Sequence, residues 1–122
     1  MTPAAAPAWV DAVLLLYVGL PETPLRASPH DRMVAQRLQR QGVSLSLVEA
    51  ALLLGSLRRL FRPADLPPLS PIRSLAYFQP VITELQQQPL PDGYLGYLRS
   101  KVQTAVAPRP ADVRKNTFSD DR

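Results

Sequence analysis

The chain of 122 residues contains no cysteine and a single histidine, His30. Without cysteine there is no disulfide framework and no thiolate chemistry. Such usage suits a reducing compartment, so a cytoplasmic location is expected. Zinc sites built from Cys/His clusters are excluded in the same way. His30 lies in the first turn of an expected helix and reads as an ordinary surface side chain. Glycine is sparse, at five residues, and neither G-x-x-x-x-G-K-[ST] nor G-x-G-x-x-G occurs, so no phosphate-cradling loop is evident. The ten carboxylates are scattered, with no close pair for acid–base work. The expectation is a non-enzymatic protein with no catalytic residue, no cofactor and no metal.

Long hydrophobic runs are missing too. Residues 8–20 form the first apolar run, but Asp11 interrupts it and no Lys or Arg precedes Arg26. A secretory signal needs a positive n-region, and a bilayer span needs roughly 20 apolar residues. No membrane segment is expected.

What the chain does have is apolar helix-forming sequence punctuated by 14 prolines, with hydrophobic residues at 46%. Residues 47–62, LVEAALLLGSLRRLFR, are its centre. On a helical wheel at about 100° per residue, leucine and alanine occupy nearly the whole circumference, which is the pattern of a buried core helix. Ser46 and Glu49 have capping-box spacing at its start, and Pro63 marks its end.

Residues 8–18 read as a helix with Trp9, Val13 and Tyr17 at i, i+4, i+8. Gly19 and Pro21 end it. Ser28, Pro29 and Asp31 open a second, surface-lying helix that stops at Gly42 and has a narrow stripe of Met33, Val34 and Leu38. Ser70-Pro71 reads as the start of a helix reaching Leu85, kinked by Pro80 near residues 76–79. Asp92 is placed to cap a last helix over residues 93–105, with Tyr94, Leu95, Leu98 and Val102 as its apolar positions. The fold class is therefore all-α: one compact domain of about five helices over residues 8–105. Residues 1–7 are expected to be flexible and the polar tail, residues 106–122, to be disordered. No strand or internal repeat is apparent.

Charge gives the only pointer to a ligand. The net charge is +4, and 12 of the 14 basic residues are arginine. Arg58, Arg59 and Arg62 fall within about 100° of one another on the central helix. Gly55 on the same side leaves room for close approach of a backbone or phosphate, and Arg73 can join them across the proline loop. These four arginines are the candidate nucleic-acid-binding residues. The alternative role is complementing the helix dipole. The stretch VAQRLQRQGVSLSLVEAA also has the spacing of a helix-turn-helix. Its second helix, though, is the leucine-rich one, which offers only Ser44, Ser46 and Glu49 to a groove.

The segments PIRSLAYFQPVITEL and DGYLGYLRSKV resemble small bacterial proteins from replication and mobile-element neighbourhoods. They also resemble the C-terminal helical module of DnaD-like primosome proteins and phage replication proteins. Tyr77, Val81 and Leu85 take the positions of that module's Y-x-x-x-I-x-x-x-W helix, with leucine in place of tryptophan. The resemblance implies a helical module over roughly residues 10–85 with a replication-linked, non-enzymatic role. Its partner would be DNA, bound without sequence preference, or a replication protein on which it docks. The alternatives are a protein-interaction domain without nucleic acid, or a helix-turn-helix regulator.

Overall fold

Ser44 opens the helix around which the rest packs. Its hydroxyl accepts the Leu47 N–H at 3.1 Å, satisfying one donor that the first turn leaves unpaired. The structure, a computed structural model, describes the backbone of residues 5–106 and the side chains of residues 8–105. Five α-helices appear in it, and no strand lies among the described residues: α1 (Ala5–Val18), α2 (Pro29–Arg40), α3 (Leu45–Leu60), α4 (Gln79–Gln87) and α5 (Tyr94–Val106). A 3-10 turn, Leu75–Phe78, leads directly into α4. The all-α expectation holds, with five helices. Within residues 1–7, α1 already begins at Ala5. Pro7 is tolerated in the first turn, where its missing N–H would have no intrahelical partner. Residues 1–4 and the tail from residue 107 onward lie outside the described residues.

The helix α3 packs against α1, α4, α5 and the 3-10 turn, while α2 packs on α1 and on that turn. Val48, Ala51 and Leu52 are fully buried, and Ala50, Leu53 and Leu57 nearly so. Burying one leucine side chain contributes about 1.5–3 kcal/mol, so α3 is the main apolar anchor of the domain. Its start departs from the sequence reading. The cap is Ser44 rather than Ser46, and Glu49 forms an ion pair with Arg99 on α5 instead of closing a capping box. Two serines with similar spacing compete for the cap, and the one preceding the first buried turn wins.

Ser28 caps α2 as expected, and the box is reciprocal: Asp31 N–H to Ser28 Oγ at 3.1 Å, Ser28 N–H to Asp31 Oδ2 at 2.8 Å. The same Asp31 reaches further. It is almost fully buried, and its Oδ1 accepts the Leu75 N–H at 2.9 Å, tying the start of α2 to the 3-10 turn. The buried stripe of α2 is Val34, Ala35 and Leu38, while Met33 points outward. Gly42 ends α2 at φ 79°, a conformation that favours glycine. The Val43 N–H then closes back on the Leu38 carbonyl.

The expected kinked helix from Ser70 is corrected. Apart from a short turn at 64–66, the chain from residue 63 to residue 74 has no regular secondary structure, and α4 starts only at Gln79. Pro63, Pro67, Pro68 and Pro71 explain this, because the residue before a proline is pushed out of the helical region. Pro80 sits in the first turn of α4, where no intrahelical N–H bond is lost. The extended segment is tethered by the Ile72 N–H to the Glu22 carbonyl at 3.0 Å, and the Ile72 side chain is buried.

Tyr17 of α1 sits in this core with no exposure, edge-on to Phe78. Burial, and secondarily the negative Asp31, push its phenol up from 10.0 to about 12. The folded state therefore holds the proton more tightly than the unfolded chain. That contribution is complete below pH 10 and is lost as pH rises through about 12. A shift of this size corresponds to about 2–3 kcal/mol. Urea midpoints measured between pH 10 and pH 12 should fall accordingly, and Tyr17→Phe should remove this component of the fall.

Candidate nucleic-acid interface

The last turns of α3 carry the arginines singled out by sequence. Arg58 forms a bidentate pair with Glu84 of α4, at 2.9 and 2.7 Å. The hydrogen bond to Glu84 raises the Arg58 pKa, and the same bond holds the Glu84 carboxyl below its ordinary range. Arg59 is more deeply embedded, its side chain 5% exposed. Its guanidinium donates to Glu22 Oε1 at 3.0 and 2.6 Å, to the Ser70 carbonyl at 2.7 Å and to the Tyr77 hydroxyl at 3.2 Å. It also lies 5.3 Å from the Tyr77 ring centroid. Burial works against its charge, but the bonds to Tyr77 and Glu22 outweigh that, and its pKa is raised.

This makes Arg59 a strut. Glu22 holds φ 66°, in the left-handed region, at a bend stabilised from two sides: Arg59 on its carboxylate and Ile72 on its carbonyl. Arg62 donates from Nε and Nη2 to the Pro67 carbonyl, both at 3.2 Å, closing the proline loop. Arg59, Arg62 and Glu22 line a cleft of about 580 Å³ whose other walls are mostly proline and leucine of residues 63–71. Arg73 is exposed on the extended segment and has no hydrogen-bond partner among the described residues. Of the four arginines, then, Arg58 and Arg59 are occupied by carboxylates. Arg62 binds a carbonyl, and neither it nor Arg73 has a carboxylate partner among the described residues. Gly55 does not face open space, because Phe78 covers it.

More positive charge without a carboxylate partner lies outside the cluster. Among the described residues Arg26, Arg37 and Arg40 are exposed and without an ion pair, and Lys101 meets only the Phe61 ring. Arg37 and Arg40 share the outer face of α2 with Met33 and Gln36, at i, i+3, i+4 and i+7 spacing. The carboxylates are mostly engaged. Asp11 pairs with Arg32, Glu22 with Arg59, Glu49 with Arg99 and Glu84 with Arg58, while Asp31 caps α2. Only Asp65 and Asp92 stand exposed without such a contact among the described residues. That α2 lies on the surface was visible in the sequence. Which arginines would be neutralised was not, because their partners lie 26 and 37 positions away.

The other motifs are placed as follows. The helix α3 is enclosed by α1, α4, α5 and the 3-10 turn, with Ser44 and Ser46 exposed at its start and Glu49 bound to Arg99. Tyr77 belongs to the 3-10 turn, and Val81 and Leu85 to α4, with Leu85 buried, so the three do not form one exposed helical face. Among the described residues no three His, Cys, Asp or Glu side chains gather where a metal could sit. No helix there is long and apolar enough to cross a membrane. Comparisons with protein-family models, curated proteins and solved structures gave no match.

Proposed function

We propose that the protein is a non-enzymatic accessory module of DNA replication or of mobile elements, acting in the cytoplasm and binding DNA weakly through its backbone. The observation that carries this reading is the imbalance of free charge. Arg26, Arg37, Arg40, Arg62, Arg73 and Lys101 lack an ion pair among the described residues, against Asp65 and Asp92. Such a surface attracts a polyanion without reading its sequence. Arg62 and Arg73 are the phosphate contacts contributed by the arginine cluster. Arg58 and Arg59 hold the scaffold.

Fluorescence anisotropy across a salt series tests this. The expected dissociation constant is of the order of 10⁻⁴–10⁻⁶ M at physiological salt, indifferent to sequence. Each phosphate contact removed flattens the log–log salt slope by about 0.7–0.9. Arg37→Ala with Arg40→Ala should therefore lower the slope by about one to two, and Arg62→Ala with Arg73→Ala should do the same. No binding by the parent protein at low salt would sink the reading.

In that event the docking alternative takes its place, and one feature favours it. Leu15 of α1 is 71% exposed and stands between two apolar hollows. The Glu49–Arg99 pair edges one hollow and the Asp11–Arg32 pair the other. An apolar centre within a charged rim is the make-up of a protein interface.

A further inference from the structure

The outer face of α5 carries aromatic side chains that the core does not use. Leu98 and Val102 face inward and are buried. Tyr94, Tyr97 and Lys101 recur at i, i+3 and i+7, which places them together on a flank about 90° round the helix from Leu98 and Val102. Tyr94 is 36% exposed and Tyr97 52%. Their ring centroids are 5.1 Å apart with planes tilted by 38°, so the two rings form one continuous apolar surface. Phe61, just past the end of α3, is 60% exposed, and Lys101 Nζ lies 5.7 Å from its ring centroid, so the lysine stands between this ring and the tyrosine pair. Paired exposed aromatic rings beside a cation suit a partner that offers flat faces and negative charge.

We propose that Tyr94, Tyr97 and Phe61, together with Lys101, form a stacking strip for the bases of a single-stranded nucleic acid. The proposal rests on the reading that this protein binds nucleic acid, and it names the form of strand. From Tyr94 to Lys101 the helix rises about 10 Å at 1.5 Å per residue. That matches roughly three nucleotide steps at about 3.4 Å each. A duplex keeps its base faces stacked inside, whereas a single strand offers them to aromatic side chains. The charge on this face agrees. No Asp or Glu occurs anywhere in α5, and Ser100 and Thr104 beside Tyr97 add neutral hydroxyls. Asp92, the carboxylate nearest in sequence, precedes the Tyr94 end, away from Lys101. Stacking of this kind tolerates any base, in keeping with a ligand held without sequence readout.

The test compares labelled oligodeoxythymidylate with a labelled duplex of mixed sequence, by anisotropy, for the full chain and three variants. Tyr97→Ala should weaken single-strand binding by about fivefold or more, the usual loss for one stacked base. It should leave duplex binding unchanged, and circular dichroism should show the same helix content. Tyr97→Phe keeps the ring and should bind like the parent. Tyr97→Leu keeps apolar bulk without a π face and should behave like Tyr97→Ala. If single strand and duplex lose affinity equally, or if Tyr97→Leu binds as the parent does, the strip is overturned while backbone binding of DNA stands. If sedimentation shows a parent dimer that Tyr97→Ala dissociates, with no single-strand preference, the strip belongs to protein contact and the proposal is overturned. If neither DNA binds at low salt, the broader reading fails and the strip fails with it.

Discussion

Asp31→Ala is expected to lower stability by about 2–5 kcal/mol, from two amide groups left without an acceptor. The carboxylate takes the Ser28 N–H on one oxygen and the Leu75 N–H on the other, and it is 1% exposed. The Leu75 amide is buried and belongs to a segment 44 positions away, so no neighbouring helix turn can replace the lost bond. The buried Leu75 donor carries its desolvation cost in full, about 1–3 kcal/mol, while the Ser28 N–H, part-buried on an exposed residue, costs about 0.5–2 kcal/mol as a lost capping bond. The loss therefore falls on two structures at once, the first turn of α2 and the 3-10 turn that feeds α4. For a domain near this size the melting temperature should drop on the order of 10–30 °C. Asp31→Asn supplies a graded comparison. It preserves shape but keeps one acceptor oxygen, so it should lie between parent and alanine variant. Thermal melts by circular dichroism provide the measurement. An alanine variant melting within a few degrees of the parent would show that water serves both amides.

Asp31 also marks where the sequence stops being informative. Its place in a helix start was plain from Ser28-Pro29-His30-Asp31, because capping acts over three residues and needs no tertiary partner. Its bond to Leu75 was invisible, since nothing local specifies a contact across 44 positions. The same division runs through the chain. The identity of α3 as the core helix followed from leucine on all sides, and the end of α2 followed from Gly42. The helix expected from Ser70 failed because the apolar positions of residues 72–85 keep helical phase across Pro80. Pro63, Pro67, Pro68 and Pro71 hold the residues before them out of the helical region, and the bond of Ile72 N–H to the Glu22 carbonyl keeps the next residues extended, while Gln79 stays helical before Pro80. The arginine cluster was legible as a cluster, but its chemistry was not. Arg58 and Arg59 look alike in sequence, yet one forms an exposed pair with Glu84 and the other a nearly buried strut to Glu22, Ser70 and Tyr77. Read from sequence, a last-turn arginine such as Arg59 offers the fold only a dipole term. Its four hydrogen bonds in the structure give it a scaffold role instead. The aromatic strip had a signal, Tyr94 and Tyr97 three apart, but that spacing alone reads equally as a core face. Leu98 and Val102 decide the matter by taking the inner side.

Gly55→Val should be among the most destabilising single changes in α3, by about 3 kcal/mol, at the upper end for overpacking. From sequence, Gly55 seemed to open a surface beside the arginines. In the structure it is a close contact between α3 and the 3-10 turn. A Cβ at this position would stand 2.8 Å from both Cδ1 and Cε1 of Phe78. That ring has no room to yield. It is fully buried and packed edge-on against Tyr17 at 6.3 Å and Tyr77 at 5.1 Å between centroids. Two effects compete in Gly55→Ala. Alanine is preferred over glycine inside a helix by about 1 kcal/mol, while forcing a methyl into a filled core costs about 1–3 kcal/mol. Alanine should therefore come out close to neutral or mildly destabilising. Valine adds two more methyl groups and gives back part of the helix preference, so the steric cost decides the sign. A double-mutant cycle isolates the cause. In a Phe78→Ala background the space is vacated, and Gly55→Val should cost at least about 1 kcal/mol less than it does alone. Denaturant midpoints of the four proteins measure this directly. Equal costs in both backgrounds would show that the ring is not the obstacle. A stabilising Gly55→Val would return Gly55 to the surface, where a phosphate could approach it.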